Sequence, residues 1–115
     1  MQVEIYHDGK LVGRSNLDAA DPPMGVASGP FEPGPCYEPE ACAGEIEGTY
    51  NPSGANLSYV VQSADHGVVE CQAVFIQDYS EGLNERQVSV LGIPYPEYEN
   101  FFGEHPAFKE YWGKR

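Results

Sequence analysis

Apolar and polar residues alternate most clearly in the second half of the chain, and this alternation predicts β-strands. In residues 57–63 every second side chain is apolar, and residues 68–76 and 87–92 show comparable patterns. Short polar segments that contain Gly separate these runs, which is typical of turns. The sequence therefore predicts an antiparallel meander of three strands over residues 57–92.

The middle run, residues 68–76, has two unequal faces. We expect one face, which carries Val69 and Phe75, to lie on the core. The opposite face begins polar and then becomes apolar at Val74 and Ile76. This change predicts that another element covers Val74 and Ile76.

The first seventeen residues predict a β-hairpin. Apolar and polar residues alternate in residues 2–6, and Asp8-Gly9 is a strong two-residue turn signal. Two registers remain open. A two-residue turn pairs Ile5 with Val12, whereas a longer turn with a bulge pairs Glu4 with Arg14 and joins opposite charges.

Prolines and glycines divide the region between the hairpin and the meander. Residues 18–23 end in two prolines and predict a loop, and residues 24–31 predict a short third strand. Three prolines in residues 32–40 favour an extended surface segment. Residues 40–47 predict a turn or two of helix.

Aromatic residues concentrate near the end of the chain, within residues 95–112. Their spacing is helical, and Pro96 and Pro106 are placed where proline suits the first turn of a helix. We expect two short helices whose aromatic face docks on the sheet over Val74 and Ile76. The alternative is an exposed face that binds a partner.

These elements predict a mainly β, or β-rich α+β, fold in a single domain, residues 1–115. The architecture is an antiparallel meander sheet or a small sandwich of five to seven short strands with one or two short C-terminal helices. The chain contains 13 Gly and 10 Pro among 115 residues, which excludes a helical bundle or a coiled coil as the main architecture.

Charge is the strongest compositional feature. The formal net charge is −12, and residues 15–85 hold twelve Asp or Glu residues but no Lys or Arg. Such a balance excludes DNA and RNA as direct partners, because nucleic-acid affinity depends on Lys and Arg. A negative field attracts basic partners and cations. The candidate partner-binding residues are Asp18, Asp21, Glu32, Glu38, Glu40, Glu45 and Glu47.

Few residues in the sequence form a pattern typical of catalysis or metal binding. We therefore predict no catalytic residue, no metal site and no cofactor. His7, His66 and His105 lie in separate segments, and Cys36, Cys42 and Cys71 lack a metal-binding or redox spacing. Residues 78–85 contain residue types that bind calcium, but their glycine does not stand at the position that a calcium-binding loop requires. No secretory signal or membrane span is present, so we expect a cytoplasmic protein with free thiols.

Three segments near the start of the chain carry a resemblance. Residues 9–17, together with residues 21–27 and 29–33 (DPPMGVA and GPFEP), resemble the opening of small bacterial proteins of unknown function. The resemblance covers about the first third of the chain. It implies a bacterial protein and carries no activity, cofactor or site residue.

The leading functional hypothesis is a small acidic binding protein that masks a basic protein partner, as an immunity protein or inhibitor does. One alternative is a small enzyme or ligand-binding protein with a pocket between the sheet and the aromatic helices. Another is a structural or self-associating subunit. The absence of a catalytic motif favours a non-enzymatic role without deciding it, and the oligomeric state stays open.

Overall fold

The computed structural model describes residues 1–21, 24–94, 98, 101 and 102, with the side chain of Asp21 excepted. Ten strands and two short helices have defined bounds. The strands are β1 Gln2–His7, β2 Lys10–Asn16, β3 Asp18–Asp21, β4 Val26–Pro33, β5 Glu45–Ile46, β6 Thr49–Tyr50, β7 Val60–Ser63, β8 Gly67–Val69, β9 Ala73–Tyr79 and β10 Glu85–Leu91. The helices are α1 Pro39–Cys42 and α2 Pro52–Ala55.

The strands form one open mixed sheet in the order β6-β5-β9-β10-β4-β2-β1-β7-β8, with β3 pairing beside β4. Strand β4 joins its two halves, because its first part pairs with β10 and its last part pairs with β2. The β-rich class is therefore confirmed. The simple antiparallel meander is wrong, because β5 runs parallel to β9 and the described residues contain more strands than expected.

The predicted meander is two separate hairpins. β7 pairs with β8 in one half of the sheet, and β9 pairs with β10 in the other half. The predicted strand at residues 68–76 divides because Val69 and Val74, both buried, are an odd number of residues apart, so one straight strand cannot bury both. In β9 the buried residues are Val74, Ile76 and Asp78, while Phe75 is only half-buried. The expected core face of β9 is thus inverted.

The first hairpin satisfies parts of both predicted registers. Asp8 and Gly9 form a two-residue turn with positive φ values of 52° and 77°, and His7 pairs with Lys10. A register shift after Ile5 then places Glu4 opposite Arg14. The bulge brings the opposite charges together as the longer-turn register predicted.

The predicted loop at residues 18–23 is a strand over Asp18–Asp21, while Pro22 and Pro23 lie outside the described residues. The alternation of β2 continues across Leu17, since Ser15, Leu17 and Ala19 are all buried. Because this face is buried, the chain continues beyond β2 as a strand. β3 therefore pairs with β4, as β2 does.

Both helices with defined bounds lie in the middle of the chain, so the prediction that the helices are C-terminal is corrected. α1 overlaps the start of residues 40–47, which were predicted to be partly helical, whereas α2 lies outside every predicted helix. Tyr98, Phe101 and Phe102 have helical backbone conformation, and the rest of the predicted aromatic helices, including the segment opened by Pro106, lies outside the described residues.

One core cluster contains buried side chains from both halves of the sheet. Tyr98 and Phe102 are buried in it at 0% and 1% exposure, together with Val74 and Ile76. The Tyr98 hydroxyl also donates a hydrogen bond to the carbonyl oxygen of Val26 at 2.9 Å. These two aromatic residues therefore pack in the core.

Among the described residues, no helix is long and apolar enough to cross a membrane.

Candidate functional site

The seven candidate acids do not form one surface patch. Asp18 and Asp21 lie on β3 and Glu32 lies on β4, while the other four surround α1 and β5. Glu32 is opposite Arg14, which forms an ion pair with Glu4. The structure therefore separates the candidates into two groups, and only the second group borders an acidic cavity.

The acidic cavity has a volume of about 330 Å³ and lies between α1, β5 and the turn after β9. Its lining side chains are mostly carboxylates, with Pro39, Ile46 and Ser80 completing the wall. The acidic lining residues are Glu38, Glu40, Glu47, Asp78 and Glu81. Three of the seven candidates therefore line this cavity, together with Asp78 and Glu81, which were not among the candidates.

Two side chains hold the cavity wall formed by α1: Asn51, and Tyr59, whose hydroxyl donates to the carbonyl oxygen of Cys42 at 2.6 Å. The side-chain amide of Asn51 donates to the carbonyl oxygens of Glu40 at 2.9 Å and of Ala43 at 2.8 Å. These carbonyls belong to the end of a helix of only four residues, which leaves them without helical partners. Asn51 therefore fixes the position of the segment that carries Glu38 and Glu40.

The opposite wall depends on the parallel pairing of β5 with β9. Ile46 pairs with Asp78, and Glu47 follows in a turn with a positive φ of 47°. The Glu47 carboxylate accepts hydrogen bonds from the backbone N–H of Glu81 at 3.2 Å and of Gly82 at 2.7 Å. Glu47 thus bridges its own turn and the loop after β9, and its carboxylate is held at the cavity wall.

Asp78 is the only lining carboxylate that forms an ion pair with a described residue. It is 1% exposed, and its Oδ2 accepts hydrogen bonds from the Tyr37 hydroxyl at 2.6 Å and from Nε of Arg86 at 3.3 Å. Its Oδ1 accepts from the backbone N–H of Ser80 at 2.9 Å. This side chain fixes three separate segments at the base of the cavity.

The pKa values of this network follow from its surroundings. Burial raises the pKa of Asp78, but the hydrogen bonds from Ser80 and Tyr37 and the charge of Arg86 together lower it below its ordinary value. Burial, followed by the hydrogen bond to Asp78, raises the pKa of the Tyr37 hydroxyl. At neutral pH, Asp78 is therefore ionised and Tyr37 is a donor.

Glu45 points away from this cavity. Its Oε2 accepts hydrogen bonds from the side-chain amide of Gln77 at 2.7 Å and from the Tyr79 hydroxyl at 2.9 Å. Both donors lie on β9, the neighbour of β5 in the sheet. Glu45 therefore has a structural role across the two strands.

The histidines in the described part of the chain have structural contacts. The Nδ1–H of His7 donates to the carbonyl oxygen of Ser58 at 2.8 Å, and the ring also contacts Tyr59. The ring of His66 lies 4.9 Å from that of Phe101. His105 lies outside the described residues. Neither imidazole ring forms a hydrogen bond with a carboxylate or hydroxyl group of a described residue.

Within residues 1–21, 24–94 and the three described aromatics, no group of His, Cys, Asp or Glu is arranged to hold a metal ion. The three cysteines are free: Cys36 is exposed, Cys42 is buried and Cys71 is half-buried. The calcium-like segment at residues 78–85 begins with Asp78, which is already bound to Tyr37 and Arg86.

Sequence reasoning missed Tyr37, Asp78 and Arg86 as a network. A partial signal was present, since Asp78 continues the two-residue spacing of Val74 and Ile76 and so falls on the buried face of β9. A buried carboxylate needs a cation or donors. Tyr37 is 41 residues away along the chain, and no local pattern indicated it.

Comparison with protein-family models, curated proteins and solved structures finds no match. The resemblance of residues 9–33 to small bacterial proteins stays a prediction.

Proposed function

We propose that this chain is a small acidic binding protein that masks a basic protein partner, with the acidic cavity receiving Lys or Arg side chains of that partner. The observation that carries the proposal is the convergence of five carboxylates on one cavity of about 330 Å³. The base-free stretch of residues 15–85 supplies the surrounding negative charge.

Most of the negative charge at the cavity is not neutralised by neighbours. Asp78 pairs with Arg86, whereas Glu38, Glu40, Glu47 and Glu81 form no ion pair with a described residue. Glu38 and Glu40 are exposed. A cleft lined with charges of one sign concentrates the field and raises the rate at which oppositely charged partners associate.

The arrangement also favours a preformed site over a flexible one. Asn51 holds the α1 wall, and Glu47 is fixed by two backbone donors. A site whose side chains are already positioned loses less conformational entropy on binding. A guanidinium or ammonium group that enters the cavity can therefore form charge-assisted hydrogen bonds without rearranging its walls.

The test compares two double variants that change the net charge equally. Glu38→Gln with Glu40→Gln removes two charges at the cavity, and Asp65→Asn with Glu70→Gln removes two exposed charges near β8. Binding of a synthetic Lys- and Arg-rich peptide is measured by calorimetry, and its association rate is measured by stopped flow. We expect the cavity variant to bind about tenfold more weakly, whereas the β8 variant stays close to the wild type.

Ionic strength provides the second readout. Electrostatic association slows as salt rises, because the Debye length falls from about 10 Å at 0.1 M to about 3 Å at 1 M. Equal binding of the peptide by the two double variants would contradict the acidic cavity as the site. An association rate that does not change with salt would contradict the electrostatic mechanism as a whole.

A further inference from the structure

The two ends of the sheet differ in charge. Within the described part of the chain, β6 lies at one end of the strand order and β8 at the other. Residues 38–47, which include the neighbour of β6, hold four acids and no base, whereas residues 57–70, around β7 and β8, hold two acids. The adjacent hairpin, residues 1–16, balances two acids with two bases. Like charges therefore oppose the approach of another copy of this acidic chain less at β8 than at β6.

One side of the β8 backbone is unpaired. Among the described strands, β8 pairs with β7 alone. Every second residue of such an edge strand directs its N–H and C=O groups away from its neighbour. The turn before β8 is fixed, because Oγ of Ser63 accepts hydrogen bonds from the backbone N–H groups of Asp65 at 3.2 Å and of His66 at 3.3 Å. β8 is therefore an ordered edge that another strand can extend.

An apolar band crosses this half of the sheet on the face opposite the core and ends at β8. Leu11 pairs with Tyr6, and Tyr6 pairs with Val60 on β7. Val68 on β8 pairs with Gln62, which places it diagonally next to Val60. Val60 and Val68 are 49% and 63% exposed, whereas Tyr6 and Leu11 are half-buried. The band therefore stops at the edge of the sheet with its most exposed side chain.

An antiparallel pairing of β8 with β8 of a second copy is self-complementary when it is centred on Val68. Two-fold symmetry then places the two Val68 side chains together and sets His66 of each copy opposite Glu70 of the other. Both His66 and Glu70 are exposed, and the ring nitrogens of His66 bond to no described residue. An imidazole N–H donates to a carboxylate, and protonation adds attraction between opposite charges. This register therefore continues the apolar band across both copies and pairs a donor with an acceptor at each end.

We propose that a second copy of this chain adds to the edge at β8 and forms a two-fold symmetric dimer with one continuous sheet. β8 has three residues, so the interface is small and the dimer is weak, with a Kd of about 0.1–1 mM. No residue that lines the acidic cavity lies on β7 or β8, so each dimer presents two free acidic cavities. The proposal does not depend on the masking function.

Sedimentation equilibrium of the full chain tests the dimer at concentrations from about 10 μM to about 1 mM. The buffer contains about 0.15 M salt, which screens the repulsion between two chains of net charge −12. We expect monomers at the lowest concentration and a growing dimer fraction above it. Amide NMR spectra over the same concentrations locate the contact. We expect concentration-dependent shifts in residues 66–70 and none at Thr49 and Tyr50 on the opposite edge.

Two lysine substitutions test the edge itself. Val68→Lys places a charge on β8, and lysine on an edge strand opposes pairing with another strand. Leu83→Lys is the matched control, because Leu83 is 65% exposed, the change in charge is the same, and the residue lies between β9 and β10. We expect Val68→Lys to raise the dimer Kd about tenfold and Leu83→Lys to leave it unchanged. Amide NMR spectra check that both variants keep the fold.

A charge exchange tests the register. Glu70→Lys removes the carboxylate that faces His66 of the other copy and puts an ammonium group in its place, so we expect the dimer Kd to rise about tenfold. Combining Glu70→Lys with His66→Glu restores opposite charges at the same two positions. We expect this double variant to recover the Kd of the wild type.

Four results would overturn this proposal. They are a monomer at every concentration, concentration-dependent shifts that lie outside residues 66–70, equal weakening by Val68→Lys and Leu83→Lys, and a charge-exchanged variant that dimerises as weakly as Glu70→Lys alone. None of these results bears on peptide binding at Glu38 and Glu40, because neither residue lies on β7 or β8.

Discussion

Two networks in this molecule each join a carboxylate to a tyrosine hydroxyl and an arginine, but they differ in their exposure to water. In the first hairpin, Glu4 accepts from the Tyr6 hydroxyl at 3.1 Å and from Nε of Arg14 at 3.2 Å. At the acidic cavity, Asp78 accepts from the hydroxyl of Tyr37 at 2.6 Å and from Nε of Arg86 at 3.3 Å. The Arg and acid side chains are 58% and 40% exposed in the hairpin, but 27% and 2% exposed at the cavity.

This difference in exposure predicts that the two ion pairs contribute unequally to stability, although their distances are nearly equal. Water and dissolved salt screen the hairpin network, so its contribution to stability is small. The buried carboxylate of Asp78 has lost its hydration and depends on Tyr37, Arg86 and Ser80 to compensate. Removing one member of the buried network leaves the others unsatisfied, whereas water replaces a lost member of the exposed one.

Asp78→Ala is expected to have the largest effect. The substitution leaves Arg86 without its counterion and the Tyr37 hydroxyl without its acceptor, in a place where water has little access. Breaking a buried pair costs about 3–5 kcal/mol of the free energy of unfolding. Urea denaturation followed by circular dichroism measures the loss. A cost as small as that of an exposed pair would mean that the network is solvated in solution.

Tyr37→Phe tests the hydroxyl alone and has a matched control in Tyr6→Phe. Loss of the Tyr37 donor leaves a lone pair of Asp78 unsatisfied and is expected to cost about 1–3 kcal/mol. Tyr6→Phe removes the equivalent donor to Glu4, where water can replace it, so its effect should be smaller. The two variants are compared in the same urea denaturation assay. Equal losses of unfolding free energy would show that the two hydroxyl groups contribute equally in spite of their different surroundings.

Acid should weaken the buried network. The folded-state pKa of Asp78 lies below its ordinary value of 3.8, so the contribution is fully present above that value and is lost as the pH falls through the folded pKa. We expect the stability difference between the wild type and Asp78→Asn to narrow progressively below pH 3.8. Urea denaturation of both proteins at successive pH values measures this difference. A difference that stays constant over that range would show that the Asp78 pKa is not lowered by folding.

Arg14→Gln is expected to have the smallest effect, about 0–1 kcal/mol, because the pair is exposed and screened. Thermal denaturation at low and high salt measures this loss and its sensitivity to ionic strength. We expect the small difference from the wild type to shrink further in high salt. A loss as large as that of Asp78→Ala would show that the hairpin pair contributes much more than its exposure implies.

Local sequence patterns determined those parts of the fold that depend on neighbouring residues. The Asp8-Gly9 turn forms because glycine tolerates a positive φ, and the charges of Glu4 and Arg14 face each other once the bulge is placed. The β9–β10 hairpin likewise follows from two apolar runs joined by a polar segment. Short-range preferences of this kind are readable because they involve few residues.

The candidate site was only partly predictable. The base-free acidic stretch indicated a region, and Glu38, Glu40 and Glu47 do border the acidic cavity. The same stretch also suggested Asp18 and Glu32, which lie elsewhere in the sheet. Net charge along a chain carries no information about which residues converge in space.

The sequence by itself determined that the protein is β-rich and acidic and that its first strands form a hairpin. Only the tertiary structure decided that β4 joins two half-sheets, that β5 runs parallel to β9 and that Tyr37 meets Asp78. The physical reason is distance along the chain. Turns and alternation are set by adjacent residues, whereas a buried carboxylate is satisfied by whichever donors the packing of remote strands brings to it.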